Sequence, residues 1–157
     1  MKKFILAIIT VSTFLFSACT ILPEGSKKPE VNIEKITLIT QNNEVGFNVD
    51  FSVFHQSKTD LPIDKVKITI KRDNKVIASL DESISRSVIP TNEKLLYTRF
   101  VPYEKVEAVE EESLKLNRML SMWISCDLEL HVVPEIQQNS YINPETHYEG
   151  VVLHDIK

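Results

Sequence analysis

Glycine is scarce in this 157-residue chain, with Gly25, Gly46 and Gly150 as the whole complement. Phosphate-cradling loops place several glycines within a few positions, so a nucleotide site of that kind is excluded. A Gly-x-Ser-x-Gly nucleophile elbow is absent as well. Cysteine is nearly as rare, since Cys19 and Cys126 are the only two. They allow at most one disulfide. Positive charge is in deficit, 18 Lys and Arg against 22 Asp and Glu. Such a balance argues against a nucleic-acid partner, because the phosphate backbone selects basic surfaces. Trp123 is the lone tryptophan. No apolar run reaches the roughly 20 residues that a membrane-spanning helix needs.

The longest apolar run is nevertheless informative. Met1-Lys2-Lys3 precedes the stretch 4–16, and Ser17-Ala18-Cys19-Thr20 follows it. A basic start, a short apolar segment and small residues before a cut define a secretory signal peptide over residues 1–18. The cysteine at the cut resembles the lipobox of bacterial lipoproteins, with Phe16 where that pattern usually has an aliphatic residue. The resemblance implies that the Cys19 thiol takes a diacylglycerol and becomes the mature N-terminus. Each buried methylene contributes about 0.8 kcal/mol, so two or three acyl chains, palmitate-like in length, would hold a small domain on a bilayer. Thr20 in the next position, rather than Asp, implies an outer-membrane lipoprotein that is periplasmic or surface-facing. The outer face of the cytoplasmic membrane is the alternative.

Loss of residues 1–18 removes Lys2 and Lys3 and leaves a net charge of −6. Anionic headgroups would repel that surface, so the acyl group is the expected sole attachment to the membrane. Acylation of Cys19 leaves Cys126 without a disulfide partner. Cys126 sits in an apolar alternation and is expected to be a buried structural thiol.

Residues 19–30 read as the lipidated N-terminus and a polar tether; 11 extended residues span roughly 36 Å. Residues 31–157 read as one domain, in which the hydrophobic period becomes two. Val31 and Ile33 share one parity and Ile36 and Leu38 the other, which predicts a β-bulge at Glu34-Lys35. A turn over 41–44 leads into Val45, Phe47, Val49, Phe51 and Val53, which alternate with polar residues. Residues 55–62 read as a polar loop. Val66, Ile68 and Ile70 alternate with Lys65, Lys67 and Lys71, and Asp73-Asn74 predicts a two-residue hairpin. Extended segments follow at 76–80, 83–89 and 93–101, the last two parted by Pro90. Five glutamates over 104–112, set among Val106, Val109, Leu114 and Leu116, predict a short helical insertion over 103–120. The longest alternation runs from Met122 to Val132, and a last strand covers 146–156. About seven strands with short turns predict a mainly β fold, an antiparallel immunoglobulin- or fibronectin-III-like sandwich.

Several of these stretches resemble the late-embryogenesis-abundant type 2 (water stress and hypersensitive response) domain. They are Leu61-Pro62 before 65–71, Asp73-Asn74-Lys75-Val76-Ile77-Ala78, Ser87-Val88-Ile89-Pro90, and Val101-Pro102-Tyr103-Glu104-Lys105-Val106. The resemblance covers about residues 31–133. It departs at His55-Gln56-Ser57, where the family usually carries Asn-Pro-Asn. It implies a sandwich fold and an association with desiccation or envelope stress, and it carries over no catalytic residue.

Candidate chemistry is thin. Asp127, Glu129 and His131 share one strand face, but successive same-face positions lie about 6.5–7 Å apart, too wide for one ion unaided. An ordinary exposed strand face is the expectation, so no metal and no cofactor are expected. His154 and Asp155 are neighbours on a strand and point to opposite faces. His55 and His147 lie in or beside loops and are expected at the surface. Trp123 falls on the polar face of its strand, where it either packs beneath the acidic insertion or marks a partner patch. The chain is therefore expected not to be an enzyme. The leading function is a lipid-anchored envelope module that binds a protein or amphipathic ligand, or protects against stress. The alternative is an accessory lipoprotein that carries an apolar ligand in lipid or envelope transport.

Overall fold

The alternation read along the chain becomes seven strands. A computed structural model describes residues 29–42, 44–56, 60–104, 121–133 and 143–155. The strands are β1 (Glu30–Gln41), β2 (Glu44–Phe54), β3 (Leu61–Arg72), β4 (Lys75–Ile89), β5 (Lys94–Pro102), β6 (Ser121–Val132) and β7 (Glu145–His154). All seven belong to one sheet in the order β4-β3-β6-β7-β1-β2-β5. Neighbours are antiparallel except β1 and β7, which run parallel. The two end strands approach each other: Ala78 bridges Tyr103, and Glu104 N–H donates to the Ile77 carbonyl at 2.8 Å. The product is a mixed sheet nearly closed into a barrel.

The mainly β class matches the expectation. The arrangement differs from an antiparallel two-sheet sandwich in its parallel β1–β7 pair and in the single sheet that joins all the strands. Bulges supply part of the curl, because an extra residue bends a strand and sharpens its twist. In β1 the register steps from Ile33↔Phe51 to Lys35↔Asp50, so Glu34 is the extra residue and the inward parity switches there. A second bulge at Asp64, between Ile63↔Val132 and Lys65↔His131, does the same to β3. The segments expected at 76–80 and 83–89 run on as one 15-residue strand, since β4 follows β3 through this irregularity.

Turn chemistry closes the hairpins. Asp73 and Asn74 both adopt positive φ, 49° and 63°, as a type I′ turn requires. Asn92 does so at 61° in the turn between β4 and β5. Inside the barrel, Leu38, Phe47, Val49, Phe51, Ile68, Ile70, Ile124 and Leu130 are buried. Each such side chain contributes about 1.5–3 kcal/mol through loss of apolar surface to water. At Gly46 a Cβ would lie 2.6 Å from the Phe100 ring and from the Val101 carbonyl, so β2 and β5 approach too closely there for any side chain.

Glu30 was expected in the tether, yet it opens β1 opposite Phe54. The registers place Glu30, Phe54, Lys94 and Val132 at one end of the barrel, the entry end, and Gln41, Ser121 and His154 at the far end. The expected signal peptide, Cys19, the expected tether up to residue 28 and the expected helix from residue 105 onward lie outside the described residues. Among the described residues there is no helix, and Tyr103 bridges β4 instead.

Candidate binding face on the outer surface

Strand β6 points its even residues, Met122 to Val132, into the core and its odd residues outward. Trp123, Ser125, Asp127, Glu129 and His131 therefore form one outer row, as the alternation requires. Neighbouring strands complete the face. Asp127 stands between Thr69 of β3 and His147 of β7, and Glu129 stands between Lys67 and Glu145. Trp123 stands beside Val151, and Ser121 beside Leu153.

The face has two chemically distinct parts. Toward the entry end lies a shallow charged groove of about 670 Å³, lined by Lys67, Lys71, Asp127, Glu129, Glu145 and His147. Asp127 accepts from Lys71 Nζ at 2.8 Å and pairs with His147 Nδ1 at 2.6 Å. The Lys71 hydrogen bond, seconded by His147, holds its carboxyl below the usual value of 3.8. Glu129 accepts from Asn143 Nδ2 at 3.2 Å and lies 3.7 Å from His131 Nε2. Glu129 and His131 share Asn143, whereas Asp127 is held by Lys71 and His147, so the three do not converge on one point. Among the described residues no group of three or more His, Cys, Asp or Glu is placed to share one ion.

Toward the far end the face turns apolar. Trp123 is 60% exposed, Val151 50% and Leu153 64%. The indole Nε1–H reaches Glu149 Oε1 at 3.4 Å and leaves the ring open to solvent. Leu153 adjoins Thr37 of β1, beside a second groove of about 450 Å³ that includes Lys35, Thr37, Tyr148, Val151 and Leu153. The lone tryptophan is singled out by the sequence. Its companions are hidden, because Val151-Val152-Leu153 is an unbroken apolar run whose inward member no pattern identifies.

The other marked residues separate cleanly. Cys126 is fully buried, and burial, with Asp127 adding to it, pushes its thiol up to about 12. His147 is exposed as expected. His55 is not: it is 1% exposed, with Nε2 2.6 Å from the Ile89 carbonyl oxygen, and its own carbonyl accepts Asn92 N–H at 2.9 Å. The ring fills the entry end and ties the end of β2 to the turn between β4 and β5, so a loop position became a core residue. Asp155 N–H donates to the Leu38 carbonyl at 2.9 Å, which makes His154-Asp155 the end of a strand.

No protein-family model matches the chain, and no curated protein does. Solved structures do match. A solution structure of an Arabidopsis thaliana protein matches with a TM-score of 0.59 at 13% identity, over 84% of this chain and 86% of that one. A crystal structure of an Archaeoglobus fulgidus protein matches with a TM-score of 0.51 at 8% identity, over 84% and 99%. A third, the solution structure of a protein described provisionally as late embryogenesis abundant (LEA), gives 0.46 at 14% identity over 80% and 71%. At such identities the first two are similar in fold alone.

Proposed function

We propose that this chain is a lipid-anchored cell-envelope protein whose barrel-like domain binds a protein partner through the Trp123 face and performs no catalysis. The observation that carries the reading is the contiguous apolar surface of Trp123, Val151 and Leu153 on an otherwise polar outer row. Large exposed aromatics ringed by polar residues are the usual anchors of interfaces. The anchoring half rests on residues 1–20 and their lipobox-like pattern. The LEA type 2-like stretches of the sequence add a stress-protective role to this reading, and the solved structures bear on the fold alone.

Geometry relates the two halves. The tether joins β1 at the entry end, whereas the patch lies toward the far end. From Glu30 to Thr37, the position beside Leu153, is about 23 Å along β1 at ~3.3 Å per residue. With a tether of up to roughly 36 Å joined at the entry end, the Trp123 face is left accessible to a partner.

The test is photocrosslinking in living cells with a photoreactive amino acid in place of Trp123, and a control at exposed Lys75. A discrete adduct from position 123 that is lost with Leu153→Glu is expected. Equal capture from both positions would refute the patch. The anchor is tested separately: Cys19→Ala is expected to leave the membrane fraction, and a variant that still sediments with membranes would refute lipidation at Cys19.

A further inference from the structure

Strands β4 and β5 are consecutive, antiparallel and joined by a short turn, yet they do not form a ladder. Among the described residues, backbone pairing across this seam is confined to its far end, at Ala78–Tyr103 and Glu104 N–Ile77 O. Toward the entry end the strands splay, and long side chains span the gap. Arg99 Nε lies 3.2 Å from Glu82 Oε2, and the Tyr97 and Ser87 hydroxyls meet at 3.2 Å. The Tyr97 ring stacks on Phe51 of the core at 5.4 Å, and the Arg99 guanidinium lies 5.9 Å from the Tyr97 ring centre. Leu80, Ile84 and Leu95 are partly buried beside the core on these same strands. Val88 and Leu96, one position nearer the turn than Ser87 and Tyr97, are 48% and 73% exposed.

Arg99 is poorly served in this window. Its Nη1 donates to the Thr98 carbonyl at 2.9 Å, whereas the Nε–H is buried and is not aligned with Glu82 for a hydrogen bond. The Nε···Oε2 contact is an ion pair outside hydrogen-bond geometry, whereas a carboxylate or phosphate set square to the guanidinium fork takes two parallel bonds. Glu82, on the splayed strand with a side chain 46% exposed, is positioned as a displaceable stand-in for such an anion.

We propose that the β4–β5 window is a lateral binding site for a singly charged anionic amphiphile, a carboxylate or phosphate head on an alkyl chain. The head displaces the Glu82 carboxylate from Arg99 and takes hydrogen bonds from Arg99 and the Tyr97 hydroxyl. The alkyl chain lies along Leu96 and Val88 on the outer lip and against Ile84 and Leu95 where the strands part. This gives the apolar-ligand carrier expectation a site and a ligand class. It stands apart from the Trp123 face and from the state of Cys19.

The test uses the purified full chain in phosphatidylcholine nanodiscs with a photoactivatable twelve-carbon fatty acid, the label mapped by peptide mass spectrometry. Label is expected on peptides spanning residues 80–99. Glu82→Gln, which removes the competing charge, is expected to raise it about fivefold, and Arg99→Gln to lower it about tenfold, with Trp123→Ser unchanged. Thermal melts of each variant establish that it is folded. Label confined to residues 1–28, or unchanged by both Glu82→Gln and Arg99→Gln, would overturn the proposal. If Arg99→Gln unfolds, absence of the Glu82→Gln increase is sufficient to overturn it.

Discussion

His55 shows how one side chain can change role with its surroundings. Its ring is buried at the entry end and bonded to the Ile89 carbonyl, with no solvent to replace that partner. His55→Ala is expected to cost about 1–3 kcal/mol in urea unfolding, because it orphans a buried carbonyl and opens a void. Nothing in His55-Gln56-Ser57 announces this, since a polar triplet after a strand is the ordinary composition of a loop. Cys126 is the opposite case: its place in a strict alternation told its burial in advance. Asp127 carries a pH signature. Its carboxyl is held below 3.8 by Lys71 first and His147 second, so the stabilisation is present above that value and lost as pH falls through the lower, folded value. The melting temperature is expected to fall on acidification below about pH 4, and less steeply in Asp127→Asn. At neutral pH the same substitution is expected to cost under about 1 kcal/mol, because the pair is half exposed.

Among the elements, the strands were legible and their partners were not. A two-residue period reports which side chains turn inward, so β2, β6 and the parity switch at Glu34 stood out. The bulge at Asp64 did not, because Pro62 and Asp64 blur the period just where β3 changes face. The parallel β1–β7 contact left no trace either, since two residues in register impose no pattern of their own. At the β2–β5 contact, Gly46→Ala is expected to destabilise by about 2 kcal/mol or more in denaturant melts, because the new Cβ meets backbone and not only a movable ring. Asn74→Gly is expected to stabilise by about 0.5 kcal/mol, as glycine occupies the second position of a type I′ turn without strain.

At the scale of the whole molecule, the sheet divides into two antiparallel groups, β4-β3-β6-β7 and β1-β2-β5. Between them stand the parallel register pairs Thr37↔Leu153 and Leu38↔His154 on one side and the splayed β4–β5 seam on the other. The candidate faces sit near these joints, Leu153 at the first and Arg99 at the second. That placement was out of reach of the sequence, because it depends on closure of the sheet and not on any strand's own pattern. Hydrogen exchange is expected to be fastest among backbone amides of Lys94–Pro102 that face the seam, and slowest in β2 and β6, which have ladder neighbours on both sides.

The two thin joints also decide how the molecule bears tension. A pull on the N-terminus enters through β1, whereas a partner held at Trp123 pulls on β6 and β7. The load would then pass from one half of the barrel to the other through a two-residue parallel clasp, through side chains that reach across an open seam, and through the core that the halves share. The joints would yield while the ladders within each half still held. Pulled between its N-terminus and Trp123, the domain would therefore lengthen at these joints before either half unravels.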